Sequence, residues 1–244
     1  MEPKQLNLNR TLNSQLFLKY EKAKNNERRL NAVLKLINKQ NIKICDVGGA
    51  SGIFLNELLK KSKYKIHVFN LEIDQDYQNK QKNKKINFIN KSILDNKIKG
   101  NFFDIATFNQ VLHHLVSNNH QNTLILQKKA LEEVFRITKK GGYIVFEEEV
   151  YSSPAISRIT YSVSKFANLL HSKLNINFHY LSLGKVVISF MTKKEISKII
   201  SENQEKYKLR VINSEYNSWN LPLKYKIITL LSKVGIISYI IQKK

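Results

Sequence analysis

Apolar positions along the chain switch between two periods. Within residues 14–39, Leu30, Val33, Leu34 and Ile37 recur at helical spacing with Lys and Asn between them, which predicts a helix. After a short polar link, the apolar run ending Ile44-Cys45-Asp46-Val47 leads directly into Gly48-Gly49-Ala50-Ser51-Gly52, a strand entering a turn of small residues. A helix follows over residues 54–63, then strands over residues 65–73, 86–93 and 103–108. Residues 123–138 are predicted helical, with Gly141-Gly142 closing that helix, and residues 143–149 form a fifth strand. Strands alternating with helices imply right-handed crossovers and a mostly parallel sheet covered by helices on both faces. The strands are short and apolar throughout, as two covered faces require.

The alternation breaks after Tyr151. Residues 153–174 read as helix, residues 176–190 fit neither period, and residues 192–207 are helical again. Strands over residues 208–217 and 237–244 bring the expected sheet to seven. The organisation expected is one α/β domain over residues 1–244. It divides into an N-terminal helical cap (1–40), a core (41–150), an insertion over the open end (151–190), and a last helix and strands completing the sheet (191–244).

Composition narrows the classes. A chain of 244 residues with 42% hydrophobic residues can bury one sizeable core and is too short for two full enzyme domains. No run reaches the roughly 18 apolar residues of a membrane span, and Met1–Arg10 lacks a signal-type apolar stretch. Cys45 is the single cysteine, so no internal disulfide forms; this fits a reducing compartment, and a cytoplasmic location is expected. The net charge of +22 raises nucleic acid or an anionic membrane as partners. Almost all of it is Lys, and enrichment of Lys together with Asn and Ile reads as a compositional bias spread over the surface. Dedicated phosphate readers favour the planar fork of Arg. Polyanion binding stays the second reading.

Candidate chemistry gathers at the strand ends. In an open parallel sheet ligands bind beyond the carboxyl ends of the strands, where small residues admit a ligand to the backbone and the next helix offers free N–H groups. Asp46 to Gly52 fills that place, and Glu72 ends the next strand at the spacing used to hold ribose hydroxyls, with a solvated strand end as the alternative. A nicotinamide-binding domain is the nearest rival, but G-x-G-x-x-G cannot be laid on Gly48, Gly49 and Gly52 in register. No His/Cys/Asp/Glu cluster has metal-ligand spacing, and no Gly-x-Ser-x-Gly turn occurs.

Asp46 to Gly52 resembles the first motif of class I S-adenosylmethionine-dependent methyltransferases, acidic-x-Gly-x-Gly-x-Gly, with Ala50 at the middle glycine. Glu72 matches the acidic residue closing the family's second strand, and Ser92-Ile93 falls where the family holds the adenine. FFDIATFNQVLHHL resembles the fourth-strand motif and EEVFRITKKGGYIVFEEE the fifth. These five matches run in order over residues 40–150. The resemblance implies a Rossmann-like doubly wound fold and S-adenosyl-L-methionine as cofactor, released as S-adenosyl-L-homocysteine, with no metal. It implies that Asp46 and the backbone of Gly48, Gly49, Ala50 and Gly52 hold the methionine moiety. Glu72 would take the ribose and Ile73 pack on the adenine, with Ser92 and Ile93 at its edge and Asn109 and Gln110 beside the sulfonium. His113 is the candidate for proton transfer, its alternative being a pocket wall; His114 is expected to pack. Glu147, Glu148 and Glu149 end the fifth strand and are expected to be partly solvated, with contact to the acceptor as the alternative. Residues 151–190 and the N-terminal helix around Tyr20 would cover the acceptor, with Tyr161, Phe166, Phe178, Tyr180 and Phe190 as wall candidates.

Two readings of function follow. The first is methylation of a small or medium-sized molecule, motivated by the insertion. The second is an RNA or protein methyltransferase, or a non-catalytic binding subunit, motivated by the charge. Lysines crowding the mouth of the cleft would favour the second. The acceptor atom and the oligomeric state are not encoded in any motif.

Overall fold

A computed structural model of the chain describes residues 27–174, 186–219 and 234–244. Its elements are α1 (Glu27–Leu36), β1 (Ile42–Val47), α2 (Ile53–Lys61), β2 (Ile66–Glu72), α3 (Asp76–Lys80), β3 (Ile86–Asn90), β4 (Phe103–Asn109), α4 (His120–Ile137), β5 (Thr138–Tyr151), α5 (Pro154–Leu174), α6 (Lys193–Glu202), α7 (Gln204–Tyr207), β6 (Leu209–Ser218) and β7 (Val234–Lys243). Short 3₁₀ turns occupy Ile93–Asp95 and Leu112–His114. The sheet has seven strands in the order β3-β2-β1-β4-β5-β7-β6. The first five are mutually parallel; β7 runs antiparallel to both β5 and β6.

Strand alternation divides the core into two layers. Ile44, Val68, Ile105 and Val145 face Leu30 and Val33 of α1 and Phe54, Leu55 and Leu58 of α2. Ala106, Phe108 and Phe146 face Leu131, Val134 and Phe135 of α4 and Ile196, Ile199 and Ile200 of α6. Helices therefore cover both faces, the α/β architecture expected. The part of the expected N-terminal helix before Glu27, including Tyr20, lies outside the described residues, as do Phe178 and Tyr180.

The expectation for Gly141-Gly142 is corrected. Helix α4 stops at Ile137, where Thr138 Oγ1 donates to Val134 O at 2.7 Å, and the glycines belong to β5. Between registered pairs, β4 advances from Phe103 to Ile105 while β5 advances from Thr138 to Tyr143, so the extra residues bulge out of the ladder. Gly141 takes φ 77°, and a Cβ on Gly142 would lie 2.7 Å from Asp104 O and 2.9 Å from Lys139 O. The pair serves a bulge rather than a helix cap.

Candidate active site

The turn after β1 is held by the end of β2. Gly48 and Gly52 have φ of 70° and 73°, and Ala50 has φ 46°, a left-handed position that an L-residue occupies at a cost. Two side chains of β2 fix it there. Ala50 N donates to Glu72 Oε2 at 3.1 Å, and Asn70 Nδ2 donates to Ala50 O at 2.8 Å. The other Glu72 oxygen accepts from Asp74 N at 3.0 Å. Gly49 is the close approach: a Cβ there would meet Asn70 Oδ1 at 2.5 Å and Asp46 Oδ2 at 2.9 Å. The backbone thus curls tightly around a space too narrow for side chains, and Glu72 is buried behind it.

Around this turn the expected residues differ in exposure. Ile73 is 41% exposed, an apolar side chain standing open beside Glu72. Ser92 Oγ accepts from Leu94 N and caps the 3₁₀ turn, whereas Ile93 is buried in the core under α4. Gln110 follows β4 at φ 52°, with its N–H bonded to Glu147 O at 2.8 Å and its Oε1 buried without a partner.

Asp46 is buried and faces α1. Thr107 Oγ1 donates to its Oδ1 at 2.5 Å, and Arg29 Nη1 lies 3.6 Å from the same oxygen. Burial pushes the Asp46 carboxyl up, and the Arg29 charge and the Thr107 hydrogen bond oppose this. Burial likewise pulls Arg29 down against the charges of Asp46 and Glu147. The guanidinium lies 3.7 Å over the centre of the Phe54 ring. With its amide oriented to satisfy both neighbours, Asn109 donates to Glu147 at 3.2 Å and accepts from Arg29 at 3.3 Å. Asp46, Thr107, Asn109 and Glu147 therefore form a polar row on one sheet face, closed over by Arg29.

The opposite face carries a second arrangement. His113 Nδ1 lies 2.7 Å from Glu148 Oε1. The same oxygen accepts from Glu149 N at 2.9 Å, and Glu148 Oε2 accepts from Leu112 N at 2.7 Å. Backbone N–H groups only donate, so this carboxylate acts as an acceptor, and the matching proton sits on His113 Nδ1. In the neutral ring Nε2 is then the acceptor. Phe190 stacks on the ring at 5.0 Å, and His114 lies 4.0 Å away. Gln127 Nε2 locks the turn by donating to both Leu112 O and Ser189 O at 2.8 Å.

Sequence reasoning missed Arg29, Asn70, Thr107 and the part played by Glu148. Glu147 and Glu148 are buried on opposite faces, so the expectation that this run is solvated fails for both. Strand alternation was the available signal: neighbours in a strand cannot share one face. Of the histidine pair, His113 is buried and His114 half-buried. Among the described residues no group of His, Cys, Asp and Glu could hold a metal.

Comparison with known proteins decides the family. A family model described as a methyltransferase domain matches residues 16–204. The chain belongs to the class I S-adenosylmethionine-dependent methyltransferases. No curated protein matches the sequence of this methyltransferase. Solved structures share its fold at low identity. YcgJ from Bacillus subtilis has a TM-score of 0.59 and 11% identity, covering 90% of this chain and 100% of that one. An S-adenosylmethionine-dependent methyltransferase from Methanosarcina mazei has 0.57 and 15%, covering 86% and 96%. An arsenic(III) S-adenosylmethionine methyltransferase from Chlamydomonas reinhardtii has 0.58 and 14%, covering 88% and 73%.

Among the described residues, lysines are sparse in the turns at the carboxyl ends of the parallel strands of this methyltransferase. They gather where the parallel strands begin: Lys63 and Lys65 before β2, Lys84 and Lys85 before β3, Lys97 and Lys99 before β4, Lys139 and Lys140 opening β5. In the turns leaving the carboxyl ends of β1 to β5, Lys91 is the only lysine among the described residues. No helix among the described residues is long and apolar enough to cross a membrane.

Proposed function

We propose that this methyltransferase acts on a small or medium-sized acceptor by in-line methyl transfer. The charge distribution carries this reading. A polyanionic acceptor would need cations around the site, and the described lysines crowd the far edge of the sheet instead.

The residues present suit the cofactor. The turn through Gly48, Gly49 and Gly52 keeps its backbone free of side chains, and the orphaned Gln110 Oε1 is an acceptor awaiting a donor. The turn, with Asp46 behind it, would hold the methionine moiety. Glu72 would take the ribose hydroxyls, Ile73 the adenine face, and Ser92 and Ile93 the adenine edge. Asn109 and Gln110 would border the sulfonium. S-adenosylmethionine supplies a methyl group activated by that sulfonium. The chain orients the acceptor and excludes water, which accounts for much of the rate in such displacements. Among the described residues, 151–174 and 186–190 would form the cover.

His113 would accept the proton that a hydroxyl or ammonium acceptor must lose. Glu148 supports this role by fixing the proton on Nδ1 and leaving Nε2 as the base. The test is transfer of labelled methyl from S-adenosylmethionine to phenols, amines and carboxylates, with RNA and protein fractions alongside. Labelling of RNA or protein alone would overturn the acceptor class. With an acceptor in hand, His113→Ala should lower kcat by roughly 10²–10⁴-fold. Glu148→Gln should shift the pH–rate profile while leaving S-adenosylhomocysteine affinity unchanged. Near-normal turnover of a folded His113→Ala protein would reduce the histidine to a strut under Phe190.

A further inference from the structure

Helix α5 is amphipathic in an inverted sense. Its inward face carries Ser157, Tyr161, Ser164 and Ala167, all buried. Polar tethers hold this face: Tyr161 Oη donates to Ser117 O at 2.7 Å, and Ser164 Oγ to Ile188 O at 3.1 Å. Tyr161 is joined inward by half-buried Ile156, whereas four other large apolar side chains point the other way. Ile159, Val163, Phe166 and Leu169 are 45%, 47%, 61% and 47% exposed. Ile159, Val163 and Phe166 follow i, i+4, i+7 spacing, so they form one stripe along the helix. An ordinary surface helix places such residues inward, and a row of four outward is the mark of an interaction surface.

Charge identifies what the stripe faces. The sequence from Pro154 to Leu174 contains Arg158, Lys165 and Lys173 and no acidic residue. Thr192 bridges to Tyr151, just before α5, and brings exposed Lys193 and Lys194 to that end. A second copy of the chain would bring another +22 against this helix. Nucleic acid offers phosphates for the cations and nothing for a row of Ile, Val, Phe and Leu. An anionic bilayer supplies both an apolar interior for the stripe and negative headgroups for its flanks.

We infer that α5 is an interfacial helix that docks this protein on anionic lipid surfaces, with Ile159, Val163, Phe166 and Leu169 entering the acyl boundary and Arg158 and Lys173 meeting headgroups. The helix lies in the interface rather than across it. The inference does not depend on which acceptor is methylated.

Vesicle flotation tests it with the full chain. Phosphatidylcholine vesicles containing about 30% phosphatidylglycerol should carry the protein upward, and phosphatidylcholine alone should not. Salt near ~0.5 M should weaken binding by screening the headgroup contacts. The double variant Val163→Ser/Phe166→Ser should bind anionic vesicles at least roughly tenfold more weakly. Both side chains are exposed, so its Tm and near-ultraviolet dichroism should match the parent protein. Arg158→Gln/Lys173→Gln should weaken flotation without abolishing it. Failure of the parent protein to float with anionic vesicles overturns the inference, as does equal flotation of the folded Ser double variant. A lipid-free dimer that Phe166→Ser dissociates, without vesicle binding, would assign the stripe to a second copy.

Discussion

In the proposed reading, Glu72 serves the fold and a ligand together. It accepts from Ala50 N and Asp74 N, so it already braces the small-residue turn. Glu72→Ala should therefore weaken S-adenosylhomocysteine binding by about tenfold or more, the worth of a charged hydrogen bond, and also lower Tm. Glu72→Gln keeps an acceptor for one of the two N–H groups and should recover much of the Tm but little of the affinity. Calorimetry on both variants separates the two roles; unchanged affinity in a folded Glu72→Ala protein would remove Glu72 from the cofactor site. Glu133 gives a pH-dependent case. Partial burial pushes its carboxyl up, but hydrogen bonds from Arg136 and Asn96 and the charges of Arg136 and Lys129 outweigh burial and hold it below the ordinary value. Its contribution is thus present above about pH 4.3, the unfolded value, and is lost as pH falls through the lower folded one. The pair is partly exposed, so the effect stays under ~1 kcal/mol. Urea unfolding at a series of pH values should show Glu133→Gln less stable than the parent near neutrality and level with it in acid. A gap that persists in acid would assign the loss to packing.

Among elements, the bulge opening β5 sets two adjacent glycines different tasks. Gly141 needs only its left-handed backbone, with nothing within 4 Å of an added Cβ, so Gly141→Ala should cost about 1–2 kcal/mol. At Gly142 an added Cβ would press on the carbonyls of Asp104 and Lys139, which are backbone and cannot swing aside. Gly142→Ala should cost more, above ~2 kcal/mol, and thermal unfolding of the two variants reads the order directly. An equal loss would mean that the bulge relaxes. Periodicity made the strands β1 to β5 and the helices α1, α2 and α4 legible, because each buries one stripe or both faces, but not α3, which buries no side chain. It could not separate a glycine that ends a helix from one that opens a strand, since both demand the same dihedral freedom. The site was legible where chemistry is local, as in the turn from Gly48 to Gly52. It was illegible where partners lie far apart in sequence: Arg29 with Asp46, or His113 with Glu148.

At the scale of the whole molecule, the two helices flanking the His113 turn differ in how they are held. Helix α4 buries Leu126, Ala130, Leu131, Val134 and Phe135, whereas α5 is fastened by Ser157, Tyr161, Ser164 and Ala167. Little apolar burial means a low free energy of local opening. Amides of α5 should exchange at least about tenfold faster than those of α4, and S-adenosylhomocysteine with an acceptor should slow them if α5 closes over the site. Equal protection of the two helices in the free protein would identify α5 as a fixed layer.

The position of β7 between β5 and β6 bears on how the protein is made. On the ribosome β6 emerges before the strand that will join it to the sheet, and at ordinary elongation rates of about 5–20 residues per second it waits for seconds. Throughout that interval the nascent chain presents β5 as an open hydrogen-bonding edge, with Phe146 and Val150 still uncovered by Tyr239 and Ile237. Closure comes only when residues 234–243 clear the exit tunnel and insert between strands already formed, so the final third of the sheet assembles in one late step. A pause or frameshift just upstream of β7 would leave two unpaired strand edges on an otherwise finished parallel half of the sheet, a form that chaperones and proteases recognise.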